Sequence, residues 1–136
     1  MARGSVHHID LTASDLSRST AFYDRVLPLL GFRRVEDCAE GPLWAGAGTE
    51  LGLQAARAAS RSARHDRYAP GLHHLAFGAA ARADVDRVHA ELVNLGVPIL
   101  DAPAPYERYT PGYYAVFFAD PDGIKLEYVY TPVWPA

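Results

Sequence analysis

His7-His8-Ile9-Asp10-Leu11 near the start and His73-His74-Leu75-Ala76-Phe77 in the middle are two versions of one pattern. In each, a pair of histidines runs into a short apolar alternation. A helix-like stretch follows and closes on a glycine. Gly31 lies 23 residues after His8, and Gly96 lies 22 residues after His74. A repeat of this kind, with a polar residue at matching points, predicts two similar halves and a functional site to which both contribute.

Working outward, Val6 to Thr12 alternates with period two and predicts a strand, with Ile9 and Leu11 on one face and His8 on the other. Ser14 or Ser17 is a candidate cap for the helix that follows. Phe22, Tyr23, Val26, Leu27 and Leu30 form its apolar stripe, which Pro28 and Gly31 should end. Short strands are expected at Phe32–Val35, Leu43–Ala45 and Glu50–Ala55. Residues 57–70, rich in arginine, alanine and serine, predict a solvated connector, although an arginine run also suits an anionic ligand. The second half repeats the order. His74, Ala76 and Gly78 share one strand face, with His73, Leu75 and Phe77 on the other. A helix over Asp84–Leu95 carries Val85, Val88 and Leu92. A strand at Val97–Leu100, a loop at Asp101–Gly112 and strands at Tyr113–Phe118 and Ile124–Tyr130 complete it. Asp120-Pro121-Asp122-Gly123 is turn chemistry.

Each half is therefore strand, helix, three strands. The expected fold is α+β: two βαβββ modules, roughly 5–56 and 71–132, paired in a single domain over 1–136. Neither half can close its own sheet, so side-by-side pairing into an open, cup-shaped mixed sheet with helices outside is the natural arrangement.

Bulk properties narrow the function. The chain has 136 residues, 49% of them hydrophobic, and a formal net charge of −3. That balance gives no basic footprint for nucleic acid. No apolar run approaches the ~20 residues of a membrane span, and the start is too short and polar for a signal peptide. Cys38 is the only cysteine, which rules out an internal disulfide and a cysteine-based zinc site and suits a reducing, cytoplasmic location.

Aligned from their ends, Leu51-Gly52-Leu53-Gln54 falls on Ile124-Lys125-Leu126-Glu127, so Gln54 is expected to match Glu127 as His8 matches His74. Alternation sends Ile124, Leu126 and Tyr128 to the helix side and Glu127 to the face that carries the histidines. Two imidazoles, a carboxylate and an amide oxygen suit a divalent Fe, Mn, Co, Ni or Zn more than Ca or Mg. Taken singly, each histidine also fits a hydrogen-bonded structural role, and Glu127 also fits a pair with Lys125 or an arginine. His7 and His73 should face away from the site. Trp44, Tyr106, Tyr109 and Tyr113 are candidates for an aromatic pocket wall, with Arg108 a candidate anion partner.

Three segments carry a resemblance. His8-Ile9-Asp10-Leu11 with Ser14-Asp15-Leu16 and Ala21-Phe22-Tyr23, then Gly71-Leu72-His73-His74-Leu75-Ala76-Phe77, then Phe118-Ala119-Asp120-Pro121-Asp122-Gly123-Ile124-Lys125-Leu126-Glu127, resemble the vicinal oxygen chelate superfamily of glyoxalases, bleomycin resistance proteins and dioxygenases. The resemblance implies two modules around a divalent metal that binds oxygen atoms of a small, oxygen-rich substrate. It implies His8, His74 and Glu127 as ligands. Gln54 falls where many glyoxalase I enzymes carry a fourth ligand, a glutamate, and an amide is a weaker ligand and base than a carboxylate. The expected protein is a metal-dependent lyase, isomerase or dioxygenase, possible as a homodimer, with Glu127 and Tyr114 as candidate proton-transfer residues. A metal-independent protein that sequesters a small molecule or antibiotic is the alternative. Metal occupancy should fall in acid, because histidine must be neutral to coordinate.

Overall fold

Alternating apolar residues in the first strand and an apolar stripe one helical period wide in the segment after it produce the architecture of the first unit. The computed structural model describes residues 2–133. The edges of the expected 1–136 domain, Met1 and 134–136, lie outside that range. The chain divides into Met1–Arg64 and His65–Ala136, and each unit is a βαβββ module with its own four-stranded mixed sheet. The fold class is α+β.

In the first unit, β1 (His8–Ala13) leads into α1 (Leu16–Val26), then β2 (Arg33–Arg34), β3 (Leu43–Gly46) and β4 (Thr49–Ala55). The sheet order is β1-β4-β3-β2, with β1 parallel to β4 and the other pairs antiparallel. Asp15 rather than either expected serine caps α1, its carboxylate accepting from the Arg18 amide at 3.0 Å. Phe22, Tyr23 and Val26 are buried. Pro28 cannot continue the α-helical hydrogen bonding, so the chain tightens into a 3-10 turn at Leu27–Leu30. Gly31 ends it at φ 87°, a left-handed position that a side chain would strain. Ala47 and Gly48, both at positive φ, make the tight turn between β3 and β4.

The second unit repeats the plan with β5 (Leu75–Gly78), α2 (Arg82–Asn94), β6 (Ile99–Pro105), β7 (Tyr114–Ala119) and β8 (Lys125–Tyr130), in sheet order β5-β8-β7-β6. Val85, Val88 and Leu92 on α2 are fully buried against the sheet, at about 1.5–3 kcal/mol each from apolar burial. β6 is longer than expected and runs into the segment expected to be a loop. Its prolines, Pro103 and Pro105, are tolerated because β6 is an edge strand whose pairing to β7 shifts register twice.

The Asp120–Gly123 turn is built from the side chain that opens it. Asp120 is 5% exposed, and its Oδ1 accepts from the amides of Asp122 at 2.9 Å and Ile124 at 2.8 Å. These bonds launch β8 in register. Asp120→Ala leaves two amides short of their acceptor, and urea denaturation should show a loss of about 1–3 kcal/mol. No helix among the described residues is long and apolar enough to cross a membrane. The 57–70 connector is largely exposed and contains one 3-10 turn, Ala58–Ser60.

Candidate metal centre

Strand alternation places the key carboxylate. On β8, Leu126 and Tyr128 are buried on the face that receives α2, so Glu127 between them points to the other face. There it stands opposite Ala76 of β5 and Phe117 of β7. Glu127 is 1% exposed, and a carboxylate so deeply placed needs partners. It has two. The Tyr113 hydroxyl donates to Oε1 at 2.5 Å, and His74 Nε2 lies 3.1 Å from Oε2. Burial first, and then the bond to Glu127, push the Tyr113 phenol above its ordinary range, so it remains a donor at neutral pH. The pair opens on a cavity of about 320 Å³, walled by Tyr109, Tyr113 and Phe117, with Lys125 at its edge. The Lys125 ammonium sits 4.3 Å over the Phe117 ring.

His73 reaches the same cavity, against expectation. Strand alternation does not govern it: β5 begins only at Leu75, so the two histidines precede the strand and need not diverge. Their Nδ1 atoms are 2.7 Å apart. For His74 Nε2 to offer a lone pair, its proton must sit on Nδ1 and be donated to Nδ1 of a neutral His73. Desolvation, then the charges of His74, Lys125 and Arg67, hold His73 below the usual imidazole range and favour that neutral form. Sequence reasoning missed this role, although the repeated His-His doublet was its visible signal.

The first unit has a parallel arrangement. His8 lies on the exposed face of β1, with Nε2 3.8 Å from Asp10 Oδ2, and His7 and His8 bring their Nδ1 atoms to 3.0 Å. A cavity of about 410 Å³ takes in His8, Asp10, Glu50 and Gln54. Gln54 is not the counterpart of Glu127, as the end-on alignment supposed. Ile9 pairs with Leu51 as Leu75 pairs with Leu126, so the residue equivalent to Glu127 is Gly52, two positions earlier. Both positions face the same side, which is why alternation could not separate them.

Two other expectations are corrected. Tyr114 is not beside Glu127. It faces α2, donates to Asp86 Oδ1 at 2.6 Å and lies under the Arg82 guanidinium. Its neighbour Tyr113 holds the position expected of it. Trp44 is not a pocket wall: it is fully buried opposite Leu51, its ring 6.0 Å from that of Tyr23 and its Nε1 donating to Asp24 at 3.0 Å. Of the remaining pocket candidates, Tyr109 and Tyr113 line the second unit's cavity. Tyr106 stacks on Tyr109 and packs edge-on against Phe117, and Arg108 lies 4.7 Å over the Tyr109 ring.

The donors of the second unit fit a cation. Two ligands at about 2.1 Å from one metal stand roughly 3.0–3.4 Å apart, depending on coordination geometry. The 3.1 Å between His74 Nε2 and Glu127 Oε2 matches that spacing. Among the described residues no group of three or more His, Cys, Asp or Glu is arranged to hold a metal ion.

Comparison with known proteins agrees with the fold. The profile of the Glyoxalase/Bleomycin resistance protein/Dioxygenase superfamily matches residues 5–128. The uncharacterized protein YqjT of Bacillus subtilis (strain 168) is 33% identical over 124 residues, covering 91% of this chain and 97% of its own. The crystal structure of a candidate glyoxalase from Bacillus halodurans is 33% identical with a TM-score of 0.80, over 95% of this chain and 97% of that one. Lactoylglutathione lyase from Agrobacterium tumefaciens superposes with a TM-score of 0.72 over the whole of both chains, at 22% identity, a likeness of fold.

Proposed function

Because the chain belongs to the Glyoxalase/Bleomycin resistance protein/Dioxygenase superfamily, we propose that it is a metal-dependent enzyme of lyase, isomerase or dioxygenase type acting on a small, oxygen-rich substrate. His74 and Glu127 of the second module would hold the cation, and His8, beside Asp10 in the first module, is a separate candidate ligand; a homodimer is the assembly proposed. Fe, Mn, Co, Ni and Zn suit this donor set. The observation that carries the reading is the buried Glu127, aimed at His74 and tied back by Tyr113.

When bound, the metal supplies Lewis acidity to a substrate oxygen. The chain's own residues do the rest. Tyr113 fixes Oε1 and so directs Oε2 at the cation position. His73 sets the tautomer of His74. Tyr109 and Phe117 give a planar or partly apolar substrate a wall to lie on, and Lys125 places a positive charge beside it. Tyr113 is the phenol donor nearest the metal ligands and replaces Tyr114 as the candidate for passing a proton, through Glu127. No glutamate occupies the β4 position equivalent to Glu127, which argues against a glyoxalase I mechanism that uses a carboxylate there as its base.

Elemental analysis after equilibration with each of the five metals and desalting tests the proposal. Close to one equivalent per chain is expected, and His74→Ala should abolish it. No stoichiometric metal, or equal loading of His74→Ala, would overturn the metal reading. The aromatic hairpin around Tyr106 and Tyr109 favours the second reading, metal-independent sequestration. That reading would be supported by ligand-induced thermal stabilisation that survives chelation.

A further inference from the structure

On β8, Lys125 and Glu127 stand two residues apart on one strand face, about 6.6 Å along the strand. Phe117 of β7 lies directly opposite Glu127 and diagonally from Lys125, which itself pairs with Ala119. A diagonal neighbour is within reach of a long side chain, and the Lys125 ammonium rests 4.3 Å over the Phe117 ring. Lys125, Phe117 and Glu127 all line the second unit's cavity of about 320 Å³.

The two charges differ in what they touch. Glu127 is committed, with one oxygen to Tyr113 and the other to His74. Lys125 is half-buried, and among the described residues no carboxylate lies within ion-pair distance of its ammonium. The ring beneath it offers a cation–π contact, which leaves the charge available to an anion. Of the residues lining the cavity, Glu127 is the one carboxylate, so the positive charge of Lys125 is unanswered there. The Arg108 guanidinium, 4.7 Å over the Tyr109 ring, adds charge of the same sign. The rest of the wall is aromatic: Tyr109, Tyr113 and Phe117, the first two with ring centroids 5.2 Å apart. Tyr109 is 54% exposed, a large ring left uncovered at the cavity. The volume is at the small end of the range for ligand sites, which suits a single ring.

We propose that the substrate of this site is a small aromatic carboxylate, its ring lying among Tyr109, Tyr113 and Phe117 and its carboxylate paired with Lys125. The inference deepens the reading of this cavity as the substrate site and rests on it. A single ring with oxygen functions at opposite ends spans about the separation of Lys125 and Glu127 along β8. A carboxylate on Lys125 therefore leaves the far oxygen on the side of Glu127 and His74. Lys125 selects the charge of the substrate, and the aromatic wall selects its shape.

Calorimetric titration of the full chain with para-hydroxybenzoate tests it, against the neutral para-hydroxybenzamide and the ring-saturated analogue of the acid. The aromatic acid should bind more tightly than the amide by about tenfold to a hundredfold, the range for a hydrogen bond to a charged group. It should bind more tightly than the saturated acid by roughly twofold to tenfold, the range for an aromatic pair. Lys125→Met should erase the preference for acid over amide, and Lys125→Arg should keep it. No binding of the aromatic acid by the wild type would overturn the proposal, as would equal affinity for acid and amide, or a preference that survives in Lys125→Met. A saturated acid that binds as tightly would overturn the aromatic class. Titration of the wild type with cobalt(II), run separately, checks the metal reading. Absence of cobalt binding, with a Lys125-dependent preference for the acid intact, would remove the metal and leave the anion site standing. Cobalt binding without that preference would do the reverse.

Discussion

Glu127→Gln is expected to remove metal binding by more than about a hundredfold while leaving the fold standing. Altering a residue that merely supports a ligand costs about tenfold to a hundredfold in affinity, and loss of a ligand's charge exceeds that. Stability should change little, for a reason visible at the site. Glu127 is 1% exposed, and a buried carboxylate carries a desolvation cost that a neutral amide does not. The amide oxygen of Gln can still accept from the Tyr113 hydroxyl, which now donates to Oε1. His74, its side chain 36% exposed, can turn to water. Cobalt titration paired with thermal unfolding separates the alternatives. If Glu127 were only a structural latch, the variant would bind cobalt as the wild type does and melt earlier.

Trp44→Ala should have the opposite profile, costing about 3–5 kcal/mol of stability, the range for removing a large aromatic from a core. Trp44 is fully buried, packs on Tyr23, carries the Arg34 guanidinium 5.0 Å over its ring and donates to Asp24. Truncation leaves a cavity between α1 and the sheet. Asp24 keeps two bonds from Arg34, at 2.7 and 2.8 Å, so the loss is mainly one of packing. Urea denaturation measures it. The milder Trp44→Phe should keep wild-type cobalt affinity, because Trp44 lies on the face of β3 away from His8. Weakened cobalt binding in that variant would put Trp44 back at the site.

The two residues misassigned to the site show where reading the sequence stops. Tyr113 and Tyr114 are adjacent phenols, and because β7 begins only at Tyr114, strand alternation does not choose between them. The pairing of β7 with β8 sets Phe117 opposite Glu127, and the hydrogen bond from Tyr113 to Glu127 puts that phenol at the same site. Residue type does not place Trp44, since an aromatic among small residues suits a pocket as well as a core. Its pairing with Leu51 puts it in the core. His73 lies two residues before β5, where strand periodicity no longer fixes which way a side chain faces.

What the sequence determined alone was whatever repeats locally. Period-two alternation separated Glu127 from Leu126 and Tyr128, the helical stripes marked α1 and α2, Pro28 and Gly31 ended the first helical segment, and the doubled His-His pattern announced two modules. Tertiary structure alone decided what depends on register between distant strands. A shift of two residues keeps every side chain on its face, so Gln54 and Gly52 fit the apolar pattern equally well. Hydrogen bonds between β1 and β4, some forty residues apart in the chain, choose between them and set Asp10 over the glycine.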